Sequence, residues 1–233
     1  MRIMIWALVE NTKIEATPKA KGVCPICRGK VYAKCGEINV WHWAHFKDEN
    51  CDSWYEPESY WHKHWKVTFG MENAEIGIEK DGKRHIADIL TNENVVIELQ
   101  NSPISKLEIR DREDFYGSRM LWLVNGAEFK KNLTAKDYWE DEDYKALKSL
   151  PRPPVRWIRS SPEVIKVPNG EFFSWKYPRK SWEDVKRPLF IDFGGDLLFM
   201  VRGGMGTSQI RGTYIQKERF IKKYGGDYER YCQ

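Results

Sequence analysis

From Glu58 to Phe69 the apolar residues Trp61, Trp65 and Phe69 recur every four positions, which predicts a helix with one buried stripe. Ala74–Ile78 then alternates as a strand does, Asp81-Gly82 has the chemistry of a two-residue hairpin turn, and Arg84–Leu90 predicts the return strand. Asn94–Gln100 predicts a third strand. Ser105–Ser118 returns to helical spacing through Leu107, Ile109 or Arg110, and Phe115, with Ser105 as N-cap and Glu108 at the capping-box position. Met120–Val124 is wholly apolar, as a strand buried on both faces must be. The middle of the chain therefore predicts the order α-β-β-β-α-β, in an α/β (α+β) fold.

The flanks read differently. Residues 1–55 are short strand-like pieces around a Cys/His cluster. Their first apolar run, Ile3–Val9, predicts a strand: it is too short to span a membrane and a poor export signal. Residues 150–233 open with the linker Pro151-Arg152-Pro153-Pro154 and continue as short strands and turns, with a hairpin from Phe190–Gly195 to Leu197–Val201. Three blocks follow: 1–55, a core over 56–135, and a small β-rich C-terminal domain over 150–233. The acidic Asp137–Asp143 stretch reads as a solvated helix face or a loop.

Composition adds a partner. With 41% hydrophobic and 31% charged residues and no membrane-length run, the chain is expected to fold in the cytoplasm. The formal net charge of +4 conceals an asymmetry, because residues 151–233 hold 16 Lys/Arg against 9 Asp/Glu. That excess is interleaved with Trp157, Phe172, Phe173, Trp175, Tyr177 and Trp182. Basic and aromatic surface together suit a nucleic-acid backbone and unstacked bases. A solvated basic face over an aromatic core is the plainer alternative.

The five cysteines are odd in number and accompany no export signal, which favours a metal site over a disulfide framework. Cys24-Pro25-Ile26-Cys27 is a CxxC knuckle, and His42-Trp43-Ala44-His45 follows it closely. Two thiolates and two imidazoles predict a tetrahedral structural zinc site with ligands Cys24, Cys27, His42 and His45. Cys35 and Cys51 are spare thiols; either can replace a histidine, Cys51 ahead of Cys35. Reduced thiols, with the histidines packed on Trp41 and Trp43, are the alternative.

Asp88 and Glu98 are the chain's most suggestive acids. They fall near the ends of two predicted adjacent strands, where two carboxylates can face one Mg²⁺ or Mn²⁺ ion and its water. The Leu99 carbonyl can add a ligand. Gln100 shares a face with Glu98 and can orient water or a phosphate oxygen, but it supplies no charge. On a helix Glu58, His62 and Lys66 share one face, so Lys66, or else Lys106, can supply the cation. The alternative is an amphipathic helix facing solvent and two exposed acids, one paired with Arg84 or Arg110.

These pieces together resemble the competence protein CoiA-like family. The residues that carry the resemblance are Cys24-Pro25-Ile26-Cys27, His42-Trp43-Ala44-His45-Phe46, Glu58-Ser59 with His62 and Lys66, Arg84 with Ala87-Asp88-Ile89, Ile97–Ser105, Arg112 with Tyr116, and Leu121-Trp122-Leu123. They span roughly residues 7–126, and more loosely Phe173–Trp182. The resemblance implies a PD-(D/E)xK nuclease: a restriction-endonuclease-like core with a mixed sheet flanked by helices, and a zinc-binding N-terminal segment. In that frame Asp88 and Glu98 match the metal-binding acids, Glu58 matches the acid of the first helix, and Gln100 stands where a lysine is more usual. The histidine pair reads HWAH where the family pattern is HFAH.

The leading expectation is a metal-dependent nuclease that cleaves DNA, single- or double-stranded. The zinc segment and the basic C-terminal third would grip the substrate, in competence-like recombination or in a phage or defence setting with protein partners from that pathway. A non-catalytic DNA-binding recombination accessory is the second reading. A zinc-stabilised protein-interaction module is the third.

Overall fold

The computed structural model describes residues 3–46, 51, 52, 54, 57–136 and 171–233. The Pro151–Pro154 linker, the Asp137–Asp143 stretch and Trp157 lie outside them.

Strands β1 (Ile3–Met4), β2 (Trp6–Val9), β3 (Thr12–Glu15), β4 (Lys21–Val23), β5 (Lys30–Lys34) and β6 (His42–His45) form an antiparallel sheet in the order β1-β6-β5-β4-β2-β3. The expected Ile3–Val9 strand is broken at Ile5. There the Ile5 and Trp6 amides leave the ladder and donate to the Glu75 carboxylate at 2.8 and 3.2 Å. One face of this sheet buries Ala7, Val31 and Trp43 together with Cys24.

The remaining described residues build one larger sheet with its helices. It begins with α1 (Tyr60–Phe69), β7 (Ala74–Lys80), β8 (Lys83–Leu90), β9 (Val96–Gln100), α2 (Lys106–Tyr116) and β10 (Met120–Asn125), the expected α-β-β-β-α-β order. It continues with β11 (Leu133–Lys136), β12 (Glu171–Trp175), β13 (Leu189–Asp192), β14 (Leu197–Gly203), β15 (Gln209–Gln216), α3 (Lys217–Lys223) and α4 (Tyr228–Tyr231). The strand order is β11-β12-β15-β14-β13-β10-β9-β8-β7. β9, β10 and β13 run parallel, and the other pairs are antiparallel.

Residues 171–233 therefore do not form the separate domain that the linker suggested. β13 pairs in parallel with β10, from Trp122↔Leu189 to Asn125↔Asp192, and extends the same sheet. β13 and β14 do form the expected hairpin.

Local chemistry explains the boundaries. Asp81 and Gly82 both adopt left-handed φ, 53° and 69°, as the tight turn between two twisted strands demands. Ser59 caps α1 and Ser105 caps α2, each accepting the backbone N–H three residues on. Glu108 does not close the expected box; its carboxylate turns to Arg112 instead. On β9 and β10, Ile97, Leu99, Leu121 and Leu123 face α1 with Trp65 and Phe69. Val96, Met120, Trp122 and Val124 face α2 with Ile109. That double burial is why β10 is wholly apolar. The buried stripe of α2 is Ile109, Arg112 and Glu113, while Leu107 points to solvent.

Candidate active site and metal centre

The turn between β4 and β5 folds Cys24–Gly29 into a knuckle. Cys24 N–H bonds Gly29 O at 2.8 Å, Arg28 takes a left-handed φ of 63°, and three amides point at sulfur. Ile26 and Cys27 N–H approach Cys24 Sγ at 3.4 and 3.5 Å, and Gly29 N–H approaches Cys27 Sγ at 3.3 Å. Such donors stabilise thiolates. His45, at the end of β6, places Nε2 3.2 Å from Cys27 Sγ, and Cys51 Sγ lies 3.7 Å from Cys24 Sγ.

The four ligand atoms of Cys24, Cys27, His45 and Cys51 all fall within 4.8 Å of one another. A tetrahedral zinc with Zn–S bonds of about 2.3 Å sets two sulfurs about 3.8 Å apart, so the donor set and its spacing fit that ion. The hydrogen bond from Cys51 holds the Cys24 thiol down at about 3. The same bond pushes Cys51 up, and burial raises Cys27. Metal binding here would release the thiol protons that remain on the cluster.

The expected ligand His42 is not in this group. On a strand, residues three apart point to opposite faces, so His42 and His45 cannot converge. The His42 ring Nδ1 lies 2.9 Å from Val40 O, and Cys51 takes the fourth position. Cys35 stays outside.

The acids gather on the other side of the β7–β8 hairpin. Antiparallel pairing of β8 with β9 runs from Leu90↔Val96 to Ile89↔Ile97 and stops there. Beyond it, Asp88 Oδ2 accepts the Leu99 N–H at 3.0 Å in place of a ladder bond. Asp88 and Glu98 are both buried at this parting, and are not the exposed strand-end acids of the alternative reading.

Each acid meets a cation of the chain. Lys66, wholly buried on α1, pairs with Glu58, with Glu75 at 3.1 Å and with Asp88 at 3.3 Å. Arg112, buried on α2, pairs with Glu98 at 2.8 Å and with Glu108 at 2.5 Å. In these pairs the cations are Lys66 and Arg112 rather than Arg84 or Arg110. Lys106 pairs with Asp184 at the surface, away from this cluster. Burial opposes the charge on Arg112, but Glu98 and Glu108 outweigh it and raise its pKa. Burial lifts the Glu58 carboxyl above the usual carboxylate range, against the pull of Lys66 and His62.

Glu58 is not on the helix, which begins two residues later, yet its carboxylate reaches back to Lys66. His62 closes the helix cap: its Nδ1 lies 2.9 Å from Ser59 Oγ and 3.3 Å from Ser59 N. Gln100 donates Nε2–H to Ser102 O at 3.0 Å, leaving its buried Oε1 without a protein partner, as is Oε2 of Glu58. Both oxygens are buried acceptors with capacity left over in this part of the fold.

Glu75 and Arg112 escaped the sequence reading as site residues. Glu75 reads as a solvent position of an alternating strand, but it takes a left-handed φ of 53° and turns inward. Arg112 lies at core-facing spacing from Ile109, a charge on a buried stripe that demands a partner.

The outer face of the N-terminal sheet carries a different chemistry. Register places Lys21 beside Tyr32, Val23 beside Lys30, and Lys34 beside His42. Lys34 Nζ sits 4.8 Å over the Tyr32 ring, and that ring lies 4.8 Å from exposed Phe46.

Residues 8–53 match the family described as competence protein CoiA, N-terminal domain. The match supports the CoiA family over the metal-knuckle segment and ends before α1. No curated protein and no solved structure matches the chain. No helix among the described residues is long and apolar enough to cross a membrane.

Proposed function

We propose that the protein is a metal-dependent nuclease that cleaves DNA during competence-related processing. One observation carries the reading. Within an α-β-β-β-α-β core, two strands part where Asp88 and Glu98 sit, and a buried lysine reaches that point from the preceding helix. A fold that needed only a core would fill this notch with apolar side chains, since burying ion pairs gains little stability. The CoiA match over residues 8–53 is consistent with a competence-related protein.

In this reading Asp88, Glu98 and the Leu99 carbonyl would hold Mg²⁺ or Mn²⁺, which when bound supplies a Lewis acid and an activated water. Lys66 offsets the charge that develops on the phosphate. Glu58 and Glu75 hold the Lys66 ammonium in place. Gln100 presents Oε1 to a water proton. Zinc held by Cys24, Cys27, His45 and Cys51 would stabilise a segment too small to bury a core alone. The Lys21, Lys30 and Lys34 face with Tyr32 and Phe46, and the basic C-terminal third, suit the DNA backbone and unpaired bases.

A second reading is supported by a specific observation. Lys66 and Arg112 already neutralise the acids, which suits a non-catalytic DNA-binding accessory that keeps the fold.

Plasmid and linear DNA incubated with Mg²⁺, Mn²⁺ or EDTA separate the two. The nuclease reading expects metal-dependent cleavage that Asp88→Ala and Glu98→Ala each abolish. DNA binding without cleavage in any metal, by folded protein, selects the accessory. Cleavage unchanged in both variants overturns the site.

A further inference from the structure

The metal knuckle and the acid cluster are joined by a continuous run of contacts, partly buried. Cys51 belongs to the knuckle, and the next residue, Asp52, spends both carboxylate oxygens on β8. Its Oδ1 lies 2.8 Å from His85 Nδ1, and its Oδ2 accepts the Ile86 N–H at 2.8 Å. Ile86 lies beyond the point where β9 has parted, so Asp52 satisfies an amide that the missing strand leaves open. The Trp54 amide donates back to Asp52 Oδ1 at 3.0 Å. The Trp54 ring then stacks on His85, with centroids 3.3 Å apart and planes 8° from parallel. Its edge meets Phe115 and Tyr116 of α2, and the Arg112 guanidinium lies 5.4 Å over its face. Arg112 holds Glu98.

We propose that Trp54 is a positioning residue that fixes Arg112 against Glu98, so that zinc in the knuckle sets the geometry of the acid site. The chemistry favours this over simple filling of space. Glu98 and Glu108 hold the two terminal nitrogens of Arg112, and the flat faces of the guanidinium are open to stacking. Trp54 takes one of those faces, and Trp122 lies 6.0 Å from the guanidinium as well. Trp54 is itself held by an anchor one residue from a metal ligand. Zinc bound to folded protein would stabilise that anchor, and the coupling is necessarily reciprocal. The consequence for cleavage rests on the reading of Glu98 as a working acid; the mechanical link does not.

Hydrogen exchange on the full chain, stripped of zinc by a chelator and then refilled with zinc alone, tests the link. Stripping is expected to speed exchange several-fold in peptides covering β8 and α2, not only in residues 8–46. In Trp54→Ala, with zinc still bound stoichiometrically, α2 should exchange fast whether zinc is present or not. β8 should keep its response through Asp52, and Trp54→Phe should restore that of α2. If Trp54→Ala does not fold, the wild-type zinc response of α2 and its behaviour in Trp54→Phe decide alone. An α2 that ignores zinc in the wild type, a zinc response that survives intact in Trp54→Ala, or a chain that takes up no zinc overturns the proposal. Cleavage is scored separately. A zinc-responsive α2 in an inactive protein sinks the nuclease reading and leaves the coupling, and an active protein without the response does the reverse.

Discussion

Lys66 and Glu75 meet at 3.1 Å in a wholly buried contact, and the same Glu75 oxygen accepts the Ile5 N–H at 2.8 Å. One carboxylate thus serves both the acid cluster and the docking of the N-terminal sheet. Its left-handed backbone is the cost of aiming it inward, a conformation that stores strain unless its surroundings over-determine it.

Lys66→Met should therefore strand Glu58, Glu75 and Asp88 without their common cation. Removing one partner of a buried ion pair costs about 3–5 kcal/mol. Urea unfolding at pH 7 should show that loss, and the deficit should shrink toward pH 5 as the abandoned carboxyls take up protons. A loss below about 1 kcal/mol, the worth of a solvated pair, would mean that water reaches the cluster.

Glu58→Gln should behave in the opposite sense. Burial raises the folded-state pKa of Glu58 above its unfolded value, so folding favours the protonated form. The stability this group contributes is present below the unfolded pKa and is lost as pH rises through the raised one. Glu58→Gln should gain on the wild type as pH climbs from about 4.5 toward neutrality. Parallel wild-type and variant stability curves across that range would contradict the assignment.

The zinc ligands separate cleanly by substitution. Cys51→Ser should lower zinc affinity about 100-fold, roughly 3 kcal/mol, while His42→Ala keeps the ion. Metal analysis after dialysis against a competing chelator reads both. Zinc lost from His42→Ala and kept by Cys51→Ser would restore the CxxC-HxxH ligand set.

The knuckle's seat on the core is tested at Gly77. A Cβ there would stand 2.8 Å from Ile26 Cγ2, so β7 leaves just enough room for the knuckle's isoleucine. Gly77→Ala should destabilise by about 1–3 kcal/mol through overpacking. Ile26→Ala in the same chain should recover part of that, a coupling that thermal unfolding of the double-mutant cycle measures. Strict additivity would place the two apart.

What the sequence made legible was local. The Asp81-Gly82 turn, the Ser105 cap and the doubly buried β10 depend on chemistry within a few residues, and each appears as expected. The CxxC half of the knuckle was legible for the same reason. His42 misled because ligand spacing was read without the period of the strand that carries it. Glu75 and Arg112 were hidden because burial there is decided from far along the chain. Glu75 is covered by Ile5 and Trp6, and Arg112 by Trp54 and Glu98. The C-terminal strands looked separate because nothing local to residues 189–192 says that their edge will meet β10.

The short β8–β9 ladder has a final consequence. Among the described residues the β8–β9 ladder has two residue pairs, extended by the Thr91 N–H bond to Val95 O, and charged side chains lie along the rest of the seam. The groups proposed to act on DNA are thus also a weld between the two halves of the sheet. Selection for a tougher protein and selection for a faster one would bear on the same few residues. Variants stabilised by replacing a whole buried pair, such as Glu98 together with Arg112, by apolar side chains would win rigidity only by giving up the site.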